Sequence, residues 1–266
     1  MKSKKIRLKD LQSKVSDILR ATVNVCDKNG ILYYCQAGTV LGAVRHKGPI
    51  PWDYDADIII PENEIERFVD ACTKDLPSQY WINYHSLSDD SFAQFPRIGL
   101  RGCSTDHLHL DVFRLIGLPD ERENQIDMIK EGEEYRNEMK HYVRGMIGTL
   151  SYLKHGEIIN SVKSLKRLLY RDTSFLEKMD DFCNRYKYEE AKFVMNPFGS
   201  YREKNIFNKE VYGKGKLVDY LDFKVRIPSE MDYYLKQYYG EYMKYPPQHD
   251  IDAMLNKVFE IEEVSF

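Results

Sequence analysis

Three carboxylates, Asp53, Asp55 and Asp57, stand two residues apart in the run Pro51-Trp-Asp-Tyr-Asp-Ala-Asp-Ile-Ile-Ile60. In an extended strand that spacing puts all three on one face, with Tyr54, Ala56 and Ile58 on the other. Same-face neighbours lie about 7 Å apart and repel by roughly 2 kcal/mol at an effective dielectric near 20. A cation or bound protons must offset that repulsion. Hard oxygen donors grouped in this way suit Mg²⁺ or Mn²⁺, which favour carboxylates, water and phosphate oxygens. Just upstream, Gly38 and Thr39 open a predicted helix, where backbone N–H groups and a hydroxyl can meet a phosphate. Arg45, His46 and Lys47 add a basic cluster before the turn through Gly48, Pro49 and Pro51. Phosphate donors beside metal-binding acids point to phosphoryl or nucleotidyl transfer.

A second segment supplies the remaining acid. His107-Leu-His-Leu-Asp-Val-Phe113 alternates polar and apolar residues, so it reads as a strand with His107, His109 and Asp111 on one face. Asp111 is thereby placed as a third metal ligand, or as the base for an incoming hydroxyl. His107 and His109 lack the further residues of a zinc set and read as polar lining of the same cleft.

The elements that would position these groups are legible in the same way. Leu8, Leu11, Val15, Ile18, Leu19 and Val25 recur at helical spacing, interrupted by Thr22 and stopped by Asn29-Gly30. Residues 31–35 read as a strand entering the Gly38-Thr39 turn, followed by a helix over 39–45. Its small residues Gly42 and Ala43 would let it pack closely on the sheet. Pro61-Glu-Asn-Glu opens another helix with acids in its first turn. Residues 80–84 and 95–100 read as strands, Pro96 making the second an edge or a late start. From 120 to 192 the pattern is helical and rich in charge. There Ile158, Ile159, Val162, Leu165, Leu168 and Leu169 form a stripe beside Lys163, Lys166, Arg167 and Arg171. That stripe reads first as an ordinary core-facing helix, and second as a basic amphipathic helix on an anionic membrane. Phe193, Phe198, Tyr201, Phe207, Tyr212 and Tyr220 precede the run Tyr233–Tyr239. Most of the chain's 20 tyrosines should be packing, and a few could line a sugar or quaternary ammonium site.

Composition narrows the class. The 266 residues are 42% hydrophobic and 30% charged, as in a globular protein of one large domain or a core with a smaller attached part. A net charge of −3 lacks the basic signature of a nucleic-acid binder. Five cysteines without a Cys-x-x-Cys pair read as reduced thiols. No signal-peptide pattern and no apolar run near the ~20 residues of a spanning helix are evident, so a cytoplasmic setting is expected.

The composite Gly38-Thr-Val-Leu-Gly-Ala-Val-Arg-His-Lys-Gly48 with Pro51-Trp-Asp-Tyr-Asp-Ala-Asp57 resembles the signature of the LicD family. Likeness continues at His109-Leu-Asp-Val-Phe113 and Leu118-Pro119. It resumes at Ile227-Pro-Ser-Glu-Met-Asp-Tyr-Tyr-Leu235, Tyr239-Gly-Glu-Tyr-Met243 and Pro246-Pro247. The family comprises phosphocholine transferases of bacterial surface glycans and fukutin-type polyol-phosphate transferases, within the nucleotidyltransferase-fold superfamily. The resemblance implies an α/β (α+β) fold: a mixed-sheet core over residues 1–120, closed by a helical, aromatic-rich part over 121–266. It implies a CDP-linked donor, a glycan acceptor that is lipid-linked, release of CMP, and peripheral contact with the inner membrane face. Asp55, Asp57 and Asp111 would hold Mg²⁺ or Mn²⁺, and Asp53 would complete the catalytic set. Gly38, Thr39, Arg45, His46, Lys47, Trp52 and Tyr54 would bind substrate. Bacterial phosphocholine transferases of the family usually read Trp-Asp-Asp-Asp-Ile-Asp, whereas Tyr54 and Ala56 here are closer to the fukutin-related pattern. Phosphocholine is the first expectation, ribitol or glycerol phosphate the second, and transfer of a whole nucleotide the third.

Overall fold

The computed structural model describes residues 2–87, 91, 93–104, 108–143, 162 and 174–263. Strand β1 (Lys2–Arg7) leads into helix α1 (Leu8–Asn29), whose buried stripe includes Leu11, Val15, Ile18 and Leu19. Thr22, the polar break in that stripe, is buried and returns its hydroxyl to the Ile18 carbonyl at 2.8 Å. Gly30 ends the helix in the left-handed region (φ 61°), a conformation that costs glycine little. The short β2 (Tyr34–Cys35) feeds α2 (Ala37–His46), which starts two residues earlier than predicted. After a turn come β3 (Asp57–Pro61) and α3 (Ile65–Asp75), the latter burying Ile65, Phe68, Val69 and Cys72.

Next follow β4 (Tyr80–Asn83), β5 (Arg97–Leu100), β6 (Cys103–Ser104) and β7 (His109–Leu118). Helices α4 (Arg122–Val143) and α5 (Ser174–Asn184) lead to β8 (Phe193–Met195) and β9 (Ile206–Asn208). The hairpin β10 (Lys216–Tyr220) and β11 (Phe223–Ile227), helix α6 (Met231–Tyr239), helix α7 (Gln248–Leu255) and β12 (Val258–Glu263) complete the described chain.

A seven-stranded mixed sheet in the order β2-β3-β7-β5-β4, with β8 beside β7 and β9 beside β8, forms the centre. Within it β3 and β7 run parallel, with Asp57 opposite Asp111 and Ile59 opposite Phe113. The strands β2, β5, β4, β8 and β9 are antiparallel to their neighbours. A parallel pair needs a long crossover, and the segment between Pro61 and His109 supplies it. Strand β5 starts after Pro96, but it lies between β7 and β4 rather than at an edge. Pro96 escapes the ladder by position and only lends its carbonyl to the Val112 N–H at 2.9 Å. Separately, β12 pairs with β1 and β6.

Beneath the central sheet, Arg114 of β7 is 1% exposed and meets both carboxylate oxygens of Glu62, Nε donating at 2.8 Å. Its Nη1 donates to Asp180 of α5 at 2.6 Å. Helix α6 docks on the start of α2 through a buried polar chain. Tyr234 accepts from the Ala37 N–H at 2.9 Å and donates to Gln36 Oε1 at 2.7 Å. Gln36 Nε2 donates to the Tyr238 hydroxyl, which donates to Asn205 Oδ1. All five cysteines are free, and four of them are buried. Among the described residues no helix is long and apolar enough to cross a membrane. The stripe at 158–171 lies outside the described residues apart from Val162.

Candidate active site

Where the sequence reads a strand carrying three acids, the structure has a turn followed by a strand that begins only at Asp57. The preceding residues are held locally instead of by a ladder. The Asp53 N–H bonds the Ile50 carbonyl, and Asp53 Oδ1 accepts the Tyr54 N–H at 3.0 Å. Gln12 of α1 donates to the carbonyls of Ile50 and Asp53 at 2.9 and 2.6 Å. These local bonds hold the turn around Asp53 without a partner strand. The alternation was real, but a turn put the carboxylates together.

Asp57 is clamped by the segment before it. Its carbonyl accepts the Gln36 N–H at 2.9 Å, and its N–H donates to Thr39 Oγ1 at 2.8 Å. The Thr39 N–H is itself bonded to the Gln36 carbonyl. Thr39 therefore acts on the backbone of Asp57, and its hydroxyl acceptor is in use there. Gly38 has a steric reason: a Cβ at that position would stand 3.2 Å from Asp53 Oδ2. Gly42 has a stronger one, since a Cβ would come within 2.5 Å of the Gly48 carbonyl oxygen. The smallness of Gly42 thus serves the approach of α2 to the 48–50 turn, not to the sheet.

Across the β3–β7 register, Asp111 Oδ1 accepts from Arg97 Nε at 2.7 Å and lies 3.4 Å from His109 Nε2. Asp55, Asp57, Asp111, Arg97, His109 and Tyr54 line a cavity of about 330 Å³. Asp53 hydrogen-bonds Asp55 and faces an adjoining cavity of about 460 Å³, so the two hollows meet at this pair of acids. His107 lies outside the described residues.

The acids differ in how readily they ionise. Burial first, and then the Asp55 charge, push Asp53 up to about 7. Asp55 is raised by burial, with the hydrogen bond from Asp53 working against that rise and the Asp111 charge adding to it. Asp57 is raised well above the usual carboxylate range by burial, then by Asp55, Asp111 and Asp53. Asp111 goes the other way. Burial would raise it, but the His109 and Arg97 contacts together hold it below its ordinary value.

Of the four acids only Asp111 and Asp57 feel the Arg97 guanidinium, and Asp53, Asp55 and Asp57 bind protons more tightly than free aspartate does. A divalent cation would replace those protons, so the donor set fits Mg²⁺ or Mn²⁺. Among the described residues no three His, Cys, Asp or Glu side chains close on one point as a finished metal shell. Mg²⁺ commonly binds through one or two carboxylates and takes its other oxygens from water and phosphate.

These shifts set a testable pH dependence. An unfolded aspartate titrates near 3.9. Between that value and about 7 the folded chain binds more protons at Asp53 than the unfolded chain does. The contribution of Asp53 to stability therefore falls as pH rises through that window. Cation-free protein should melt at a lower temperature at about pH 8 than at about pH 5.5. Mg²⁺ should raise the melting temperature more at the higher pH, and Asp53→Asn should flatten the slope. Thermal melts with the same slope for wild type and variant would refute this assignment.

The basic cluster is arranged differently from the acids. Arg45 Nη1 donates to the Tyr242 carbonyl at 2.7 Å and Nε to His46 Nε2 at 2.9 Å. Its guanidinium lies 5.4 Å from the Trp52 ring centroid and 4.9 Å from that of Tyr245. Arg45 and Trp52 line the larger cavity at the acids' edge. His46 packs edge-on against Trp52 and faces a separate hollow with Gly48 and Pro51. Lys47 caps α2 with φ 54°, its carbonyl accepts the Leu221 N–H, and its charge lowers Asp219 after Lys224 has done so. Lys47 therefore serves the hairpin side of the turn. Tyr54 lies against Phe259, with the Lys257 ammonium 5.4 Å from its ring.

Two contributors were missed in the sequence. Arg97 sits in a stretch whose pattern shows only a strand, and its pairing with Asp111 depends on the β5–β7 register. Tyr201, Tyr239, Tyr242 and Tyr245 come from distant segments to wall the larger cavity. Their aromatic richness was visible, and their convergence was not.

Residues 30–147 match the family model described as LicD/FKTN/FKRP, nucleotidyltransferase domain. Over 264 aligned residues, 93% of this chain and 95% of the relative, the sequence is 26% identical to the lipopolysaccharide cholinephosphotransferase LicD of Haemophilus influenzae. A shorter stretch of 39 residues is 46% identical to the human and mouse ribitol 5-phosphate transferase FKRP, covering 15% of this chain and 8% of those proteins.

Proposed function

Because residues 30–147 are a LicD-family nucleotidyltransferase domain, we propose that this chain transfers a phosphorylated headgroup. The first substrate is phosphocholine from CDP-choline, the acceptor is a sugar hydroxyl of a cell-surface glycan, and CMP is released. The observation that carries this reading is the register of Asp57 against Asp111 on parallel strands, with Asp55 and Asp53 adjoining them. The likeness to a cholinephosphotransferase along most of the chain supports the choline headgroup. The local likeness to a ribitol 5-phosphate transferase supports a second reading, ribitol or glycerol phosphate on the same acids.

In this reading Asp55, Asp57 and Asp111 would hold one or two Mg²⁺ or Mn²⁺ ions, which would offset charge building on the departing CMP phosphate. Thr39 and Gln36 fix the backbone of Asp57, so its carboxylate keeps one direction. Arg97 and His109 hold Asp111 below its ordinary value, Arg97 through Nε, and the remaining Arg97 N–H groups would donate to the donor's phosphates. Asp53, at the junction of the two cavities, takes the proton of the attacking hydroxyl. The hydroxyl oxygen bonds to the headgroup phosphorus, and the bond to the CMP oxygen breaks on the opposite side. Residues 1–120 carry the acids, and 121–266 complete the pocket. The acceptor is lipid-linked and is met at the inner membrane face from the cytoplasm.

The test is a product assay. Purified protein with Mg²⁺ is given CDP-choline, CDP-ribitol and CDP-glycerol, and CMP is followed by chromatography. Mg²⁺-dependent CMP release, fastest from CDP-choline, is expected. Release of pyrophosphate from a nucleoside triphosphate would move the assignment to whole-nucleotide transfer. No turnover and no Mg²⁺-dependent thermal stabilisation by any donor would sink it.

A further inference from the structure

A hollow of about 680 Å³ opens where β1 runs into α1 and α7 leads to β12. Gly48, Pro49 and Pro51 line it, whereas Ile50, Trp52 and Asp53 line the cavity beside the acids, so one turn walls both. Arg7, Lys9 and Lys257 bring three fixed positive charges to the hollow, and none of its described lining residues is acidic. The chain as a whole carries a net charge of −3, so this face runs against the average. Among the described residues Arg7 and Lys9 enter no ion pair. The Lys257 ammonium rests on rings, 5.0 Å from the centroid of Phe259 and 5.4 Å from that of Tyr54.

Much of the remaining wall is hydrocarbon held in the open. Leu221, Leu255 and Val258 are 52%, 48% and 55% exposed. Val258 stands directly opposite Arg7 on the β1–β12 ladder, so a charge and an apolar side chain share one edge. Leu221 is the more telling residue. It sits at the tip of the β10–β11 hairpin with φ 54°, a left-handed conformation that glycine or asparagine adopts far more readily. Its side chain leans over Gly48 into the lining of the hollow, and its neighbour Asp222 is already paired with Arg20 of α1. A branched apolar side chain kept at a strained, half-exposed tip points to a use outside the turn itself.

Fixed cations beside exposed hydrocarbon suit an anionic amphiphile, the combination met at the surface of a charged bilayer. A sugar would need free hydrogen-bonding groups instead. The amide nitrogens of Gln12 and Asn256, which also line the hollow, already bond the carbonyls of Ile50, Asp53 and Asp252. Position agrees with chemistry. Tyr54, beneath Lys257, also lines the acid cavity, and His46 of the hollow packs edge-on against Trp52 of the adjoining one.

We infer that this hollow is the surface by which the chain docks on an anionic bilayer. Lipid phosphates meet Arg7, Lys9 and Lys257, while Leu221, Leu255 and Val258 enter the headgroup layer. The inference rests on the transferase reading for its purpose, since the docked turn then presents Asp53 to a hydroxyl carried on a lipid. It assigns membrane contact to residues far in sequence from the 158–171 stripe.

Sedimentation of the full chain with vesicles, in the absence of donor and Mg²⁺, tests it. Vesicles of equal parts phosphatidylglycerol and phosphatidylcholine should carry the protein down, and vesicles of phosphatidylcholine alone should not. Raised salt should release it. The double variant Arg7→Glu/Lys9→Glu should weaken binding to the anionic vesicles by about tenfold or more. Leu221→Asn should weaken it several-fold and, by relieving the strained tip, should melt no lower than wild type. Both variants should keep the wild-type rate of CMP release from a soluble donor. Absence of sedimentation with the anionic vesicles would overturn the inference, as would variants that bind those vesicles like wild type. Release of bound protein by inorganic phosphate at matched ionic strength would also overturn it, by marking a site for a free anion. None of these results alters CMP release, so the transferase reading stands or falls by its own assay.

Discussion

Asp57→Asn is expected to cut Mg²⁺-dependent CMP release by about three orders of magnitude or more while leaving the fold intact. Its side chain is the centre of the acid group: Asp55, Asp111 and Asp53 all push it up, and Arg97 alone of its charged neighbours pulls it down. The amide keeps the size of the carboxylate, and the backbone bonds to Thr39 and Gln36 do not involve the side chain. What is lost is one negative charge at the place where a cation would be held. Stability should move in the opposite direction. Removing one of several buried like charges relieves the cluster, so cation-free Asp57→Asn should melt at or above the wild-type temperature. Chromatography of CMP and a thermal melt read the two effects separately. Near-normal metal-dependent activity in this variant would contradict the assignment, and a large fall in melting temperature would show a structural role instead.

Arg114→Met should produce the largest loss of stability of any single substitution considered. Arg114 is buried between Glu62 and Asp180, and Glu62 also accepts from Asn184 Nδ2 at 3.3 Å. Taking away the guanidinium leaves Glu62 buried without its partner, a situation that costs about 3–5 kcal/mol. For a chain of this size that corresponds to a fall in melting temperature on the order of 10 °C. Glu62→Gln in the same background should recover part of the loss, because the stranded charge is gone. A melting temperature within about 2 °C of wild type for Arg114→Met would refute the account. This knot joins β7, the turn after β3 and helix α5, so it fixes the two strands that carry Asp57 and Asp111.

Much of this arrangement could be read from the sequence, for identifiable reasons. Helix α1 announced itself by period and by its Asn29-Gly30 stop, and β7 by strict alternation from His109. Both are signals that a single chain segment carries alone. The acids at 53, 55 and 57 were found by their spacing, but their backbone was misread, because a turn with local hydrogen bonds can also present alternate side chains on one side. Thr39 reads in the sequence as a phosphate contact; its hydroxyl also accepts the Asp57 N–H, a pairing that only the approach of α2 to β3 creates. Arg97 was hidden because its partner is 14 residues away on a neighbouring strand. Lys47 and Arg45 shared one basic run in the sequence, yet the end of α2 turns them to different sides.

The chain Ala37–Tyr234–Gln36–Tyr238–Asn205 has a consequence for how such a protein comes into being. A ribosome would deliver Asp53 through Asp111 well before Tyr234 and Tyr238 exist, so the start of α2 waits, unbraced, for the last fifth of the polypeptide. Shortening the chain from its C-terminal end should therefore silence the acids without removing any of them.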